Sequence, residues 1–129
     1  MTRETDPSST PTLLADCPAD PNCVSSQATQ ASRRVQPFQC RGSCRETLRH
    51  LREVLESTPG VSVVVSTDSY LRAECRTMVF RFIDDLELLT DIDKEVIHVR
   101  SASRVGTWDL GVNRRRVESL RRRLAKIDR

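Results

Sequence analysis

Aromatic residues are scarce in this chain: one Trp, one Tyr and three Phe in 129 residues, or 4%. That leaves little with which to stack nucleobases or sugar rings. Lysine is scarcer still, since of 21 basic residues only Lys94 and Lys126 are not arginine. No window approaches the roughly 18 consecutive apolar residues of a membrane span. The opening "MTRETDPSSTPTLLADCP" lacks the basic n-region and apolar h-region of a secretory signal and is too acidic for a transit peptide. These absences lead to the expectation of a soluble, cytoplasmic protein with no transmembrane segment. No CxxC occurs, and with only His50 and His98 to complement Cys40 and Cys44, a zinc site would need distant partners, so no metal is expected. Nucleophile elbow, P-loop and dinucleotide fingerprint are all missing, and no cofactor is expected.

What is present describes one small domain with a modest core: 37% hydrophobic and 30% charged residues. The formal charge of +3 hides an asymmetry. Residues 109–129 carry eight basic and three acidic groups, whereas residues 1–36 carry three basic and four acidic ones. Five cysteines cannot all pair within one chain. A Cys17–Cys23 disulfide and reduced thiols both remain open.

Residues 1–36 are rich in Ser, Thr, Pro, Asp and Gln and read as an extended or partly disordered arm. Within it "CPADPNCVSSQ" (17–27) carries Cys23 and Val24, which favour burial and mark a docking segment. Residues 37–129 read as a single α+β domain. Its first helix runs from about Ser43 to Ser57, opened by a Ser43/Glu46 capping box, striped with Leu48, Leu51 and Leu55, and stopped by Pro59-Gly60. Four strands follow, at Val61–Ser66, Tyr70–Thr77, Val79–Leu89 and Glu95–Ser103, with short connections that suit antiparallel hairpins. A last helix spans about Asn113 to Ile127, its inward stripe formed by Asn113, Val117, Leu120, Leu124 and Ile127. The expected fold is two-layered: an antiparallel four-stranded sheet with both helices packed on one face.

Alternation then places Arg72, Glu74, Arg76, Arg81, Asp85, Glu87, His98 and Arg100 together on the opposite face. Such a face reads either as ladders of ion pairs or as a site for a polar or anionic molecule. Asp84 falls on the apolar face instead, so it is either buried against an arginine or turned outward by a bulge. Cys75 points to the core and is a poor nucleophile.

The densest polar stretch, "RSASRVGTWDLGVNRRR" (100–116), runs from the last strand into the last helix. Free amides at the helix start, with Gly106 and Gly111 permitting close approach, suggest an anion cradle closed by Arg100, Arg104 and Arg114. An internal clamp between Arg104 and Asp109, shielded by Trp108, is the competing reading. The arginines of the last helix spread around its whole exposed surface, which reads as a solvated face more than as a nucleic-acid band.

Three segments, "CPADPNCVSSQ", "YLRAECRTMVFRFIDDLE" and "VIHVRSASRVGTWDLGVNRRRVE", together resemble the domain of unknown function 1499 family over about residues 17–124. Members occur in bacteria and photosynthetic eukaryotes, and many look like envelope or lumen proteins with a signal or membrane segment before the domain, a leader not expected here from the opening residues. The resemblance supplies no reaction and no catalytic residues. It implies that 22–26, Tyr70 with Glu74, Asp84-Asp85 with Glu87, and Arg100–Arg114 form one pattern.

The expected function is a non-enzymatic module binding a small polar or anionic ligand or a protein partner. Its candidate ligand-binding residues are Glu74, Asp85, Glu87, Arg100, Arg104, Asp109, Asn113 and Arg114. The alternatives are a small enzyme using Asp84, Asp85 or Glu87 as acid/base, or a nucleic-acid accessory protein acting through the arginine-rich last helix.

Overall fold

The computed structural model describes residues 13–18, 22–77, 82–105 and 111–127. The elements run β1 (Cys23–Ser25), a 3-10 turn (Ala31–Arg33), β2 (Phe38–Gln39), α1 (Cys44–Glu56), β3 (Val61–Ser66), β4 (Tyr70–Arg76), β5 (Ile83–Asp91), β6 (Val96–Ser103) and α2 (Val112–Ile127).

Local chemistry sets the helix ends. Ser43 caps α1, its Oγ accepting from the Glu46 amide at 3.0 Å. The buried stripe of α1 is Thr47, Leu48, Leu51, Val54 and Leu55. The chain leaves α1 through Gly60 at φ 80°, where any Cβ would lie 3.2 Å from the Arg76 carbonyl and the backbone favours glycine. In α2, Asn113, Val117, Leu120 and Leu124 are buried. Ile127, expected to complete that stripe, is 41% exposed, because the final turn has only a shallow groove beside Glu53 and Ser57 to face.

The sheet is antiparallel throughout, in the order β1-β6-β5-β4-β3, and both helices lie on one of its faces. It has six strands and not the four expected, because β1 and β2 share the free edge of β6. Phe38–Gln39 pairs with Val96–Ile97, and Cys23–Ser25 pairs with Arg100–Ala102. Strands of three and two residues are too short to show alternation. The third predicted strand is displaced as well. β5 begins at Ile83 and runs on to Asp91, and Phe82 is 47% exposed; Phe80 and Arg81 lie outside the described residues.

One core fills the space between sheet and helices. Leu71, Ala73, Leu86, Leu88, Ile97 and Val99 meet Leu51, Val54, Val117 and Leu120, with Val24 and Phe38 closing the β6 edge. A bulge between Val63 and Val65 reverses the facing of β3. Val63 packs on this core, whereas Val65 joins Tyr70, Leu89 and Leu14 in a second cluster.

Two disulfides are present, Cys17–Cys23 within the arm and Cys40–Cys44 within the domain. The first resolves the alternative left open by the sequence; the second joins the end of β2 to the first residue of α1 and was not anticipated. Cys75 is reduced and buried, and burial pushes its thiol above the usual value, as its core position requires.

Candidate functional site

Alternation along β4, β5 and β6 brings Arg72, Glu74, Asp85, Glu87, His98 and Arg100 to the face opposite the helices, as register pairs Arg72–Glu87–Arg100 and Glu74–Asp85 show. Arg104 extends this set from just beyond β6. Its Nε donates to Asp85 Oδ2 at 2.8 Å, and its Nη2 donates to Asp85 Oδ1 at 2.9 Å and to Glu74 Oε2 at 2.8 Å. Arg72 Nη1 donates to Asp85 Oδ1 at 3.3 Å and lies 3.8 Å from Glu74. The Arg104 hydrogen bonds hold the Asp85 carboxyl below its ordinary range, prevailing over the desolvation that works to raise it.

A second group sits next to it. Tyr70 Oη donates to Glu87 Oε2 at 2.6 Å, and Arg100 Nη1 lies 3.6 Å from Glu87 Oε1. Burial, reinforced by Glu87, pushes the Tyr70 phenol far above its ordinary value, so it remains a donor. At the end of the row Ser26 Oγ and His98 Nδ1 are 3.0 Å apart, and His98 Nε2 is 3.6 Å from Asp91. Ser26 Oγ also accepts from the Val99 amide at 2.9 Å, which ties the turn after β1 to β6.

This face is not open along its whole length. Residues 13–18 cross it as a strap. Leu14, 6% exposed, packs with Val65, Tyr70 and Leu89; the Asp16 carbonyl accepts from Arg100 Nη2 at 3.4 Å; and Cys17 is bonded to Cys23 of β1. Burying a leucine of this kind contributes about 1.5–3 kcal/mol. Under the strap Arg100 is left with unused capacity. Its side chain is 15% exposed and its Nε is buried with no acceptor.

The remaining candidates lie elsewhere. Asn113 is on the helix side of the sheet, buried, donating to the Asn22 carbonyl at 3.0 Å and to Ser103 Oγ at 3.1 Å. Arg114 donates to the carbonyls of Ser32 (2.8 Å) and Arg34 (3.1 Å), which fastens the 3-10 turn to α2. The cradle of Arg100, Arg104 and Arg114 therefore does not form. α2 packs on one face of the sheet, and β6 presents Arg100 on the other. Asp109, Gly106 and Trp108, on which the internal clamp rests, lie outside the described residues. Arg104 has its carboxylate partners across the sheet instead.

Asp84 is buried against an arginine. It is 1% exposed, and Arg116 Nη2 donates to its Oδ2 at 2.7 Å. Arg116 also donates to Asn113 Oδ1 (2.6 Å) and Ser101 Oγ (3.0 Å), and Ser101 Oγ donates to Asn113 Oδ1 at 2.7 Å. The knot joins β5, β6 and α2. Other arginines of α2 also hold protein groups. Arg121 donates to the Gln36 and Pro37 carbonyls and stacks 4.7 Å from the Phe38 ring centre, and Arg123 donates to Thr58 Oγ1 at 2.6 Å. Sequence reasoning read these as a solvated surface; no one-dimensional signal marks a carbonyl that arrives from residues 80 or more positions away.

Among the described residues no group of three or more His, Cys, Asp or Glu side chains is placed to hold a metal, and no helix is long and apolar enough to cross a membrane. No curated protein sequence matches the chain. The model of the family described as "protein of unknown function (DUF1499)" matches residues 13–124, and a match over that much of the chain makes this protein a member of the family.

Proposed function

We propose that the protein is a non-enzymatic binding module whose outer sheet face, beneath the strap, takes a small anionic ligand bearing a carboxylate or phosphate. The observation that carries this reading is Arg100. A guanidinium offers five donors. Here one is buried without an acceptor, and among the described residues the others reach only a carbonyl at 3.4 Å and a carboxylate at 3.6 Å. An oxyanion in place of the Asp16 carbonyl meets those donors at charge-assisted distance.

The chemistry of the neighbouring acids supports binding over catalysis. General acid–base work calls for a carboxylate that exchanges its proton near the operating pH. Asp85 is held ionised by Arg104, and Asp84 is closed off in the knot with Arg116. The bonds that α2 arginines make to protein carbonyls weigh against the nucleic-acid alternative. Two disulfides favour an oxidising compartment over the cytoplasm.

Thermal melting of the full chain against phosphate, citrate and acetate at fixed ionic strength tests the reading. A ligand at a hundred times its Kd adds about 2.7 kcal/mol of stability. One of these anions should give a saturable rise in Tm that Arg100→Gln abolishes. The absence, for every one of these anions, of a saturable rise that depends on Arg100 refutes it.

A further inference from the structure

Away from the sheet face, a groove of about 450 Å³ lies between α1 and the β3–β4 hairpin. That is within the size range of small-molecule sites. Arg45, Arg49 and Arg52 line its helical wall, spaced four and three residues apart so that they share one face of α1. Ser66, Thr67 and Asp68 line the opposite wall, and the buried Leu48 and Leu71 form the apolar part.

The three arginines are held differently. Arg49 Nη1 is 2.8 Å from Glu53, and Arg45 Nε is 3.4 Å from Asp68 in a pair whose side chains are 75% and 77% exposed. A pair so exposed is worth little and is easily exchanged for another acceptor. Arg52 has no carboxylate partner among the described residues. Its Nη1 donates to Ser66 Oγ at 3.2 Å, and its Nε is buried with no acceptor at all. Arg52 is only partly buried and lines the groove, so an oxyanion there gains a charge-assisted contact with it.

We propose that this groove is a second ligand site, distinct from the Arg100 face, and that it binds a phosphorylated polyol. The phosphate accepts from the Arg52 fork, whose planar donors match its oxygens, and draws Arg45 away from Asp68. Among the described residues no aromatic side chain lines the groove, so a nucleobase has nothing to stack on, whereas Ser66, Glu46 and Asp68 offer hydrogen bonds to hydroxyl groups.

The test is a titration of the full chain with glycerol 3-phosphate, inorganic phosphate and glycerol at constant ionic strength, read from the arginine Nε–Hε NMR resonances. Glycerol 3-phosphate should shift the Arg52 resonance saturably, inorganic phosphate should bind more weakly, and glycerol should shift nothing. Arg52→Gln should weaken binding by about tenfold to a hundredfold, as expected for loss of a charge-assisted contact. Arg52→Lys should recover part of it, and Arg100→Gln should leave it unchanged, which separates this site from the sheet face. Small unsaturated shifts spread over the exposed arginines, or wild-type affinity in Arg52→Gln, overturn the proposal.

Discussion

Removing the guanidinium of Arg116 is the sharpest perturbation available. Asp84 is 1% exposed, and among the described residues its bond to Arg116 at 2.7 Å is its one ion pair and its Oδ1 has no hydrogen-bond partner. Arg116→Met keeps the apolar stem but strands a buried carboxylate, and it also strips one donor each from Asn113 and Ser101. Breaking a buried pair from one side costs about 3–5 kcal/mol. Total stability for a domain is about 5–15 kcal/mol, so the loss is a large fraction of it. With an m-value of about 1–3 kcal/mol/M, the urea midpoint should fall by roughly 1–5 M, with both disulfides kept oxidised. Asp84→Asn should cost less, because Arg116 keeps Asn113 and Ser101 as acceptors. The double variant Asp84→Asn/Arg116→Met should lose less than the sum by about 1–3 kcal/mol, since neither partner is then left alone. Additive losses, or an Arg116→Met midpoint within error of wild type, would refute the claim that this pair anchors α2 to the sheet.

Three further outcomes follow from the same geometry. Because Asp85 has its folded-state pKa depressed by Arg104, its contribution is present above its unfolded value near about 3.9 and is lost as pH falls through the folded value. The stability gap between wild type and Arg104→Ala, measured by thermal melting, should therefore be open at neutral pH and close in strong acid; a gap that widens in acid contradicts the assignment. Leu14→Ala should cost about 1–3 kcal/mol, and a Cys17→Ser/Cys23→Ser pair should cost less in that background than in wild type, since both loosen the same strap; equal costs in the two backgrounds would mean that Leu14 and the disulfide act separately. Glu95 closes the β5–β6 hairpin with φ at 57°, so Glu95→Gly should be neutral or stabilising by up to about 1 kcal/mol in chemical denaturation, and a clear loss would show that its side chain matters more than its backbone.

Elements whose signal is periodic were legible in one dimension. α1, β3, β4, β6 and most of α2 lie where apolar spacing of 3.6 or 2 puts them, and the capping serine at 43 marks the helix start because its bond spans only three residues. The same alternation brings Arg72, Glu74, Asp85, Glu87, His98 and Arg100 onto one face, since side-chain direction along a strand depends only on parity. The partners of those charges, however, were decided by tertiary structure. Arg104 was read against Asp109, five residues away, yet its carboxylates come from β4 and β5 across the sheet. Arg100 and Arg104 share the outer face, but Arg114, close to them in sequence, is separate in space, because a sheet stands between the face of β6 and the helix that follows it. Leu14 and Asp16 belong to a polar segment with no period, and only folding back across Tyr70 and Arg100 gives them a role. Sequence spacing determines which way a side chain leaves its own element; which distant group it meets depends on how the elements pack, and that packing decided the ion pairs Arg104–Asp85, Arg104–Glu74 and Arg100–Glu87 on the candidate face.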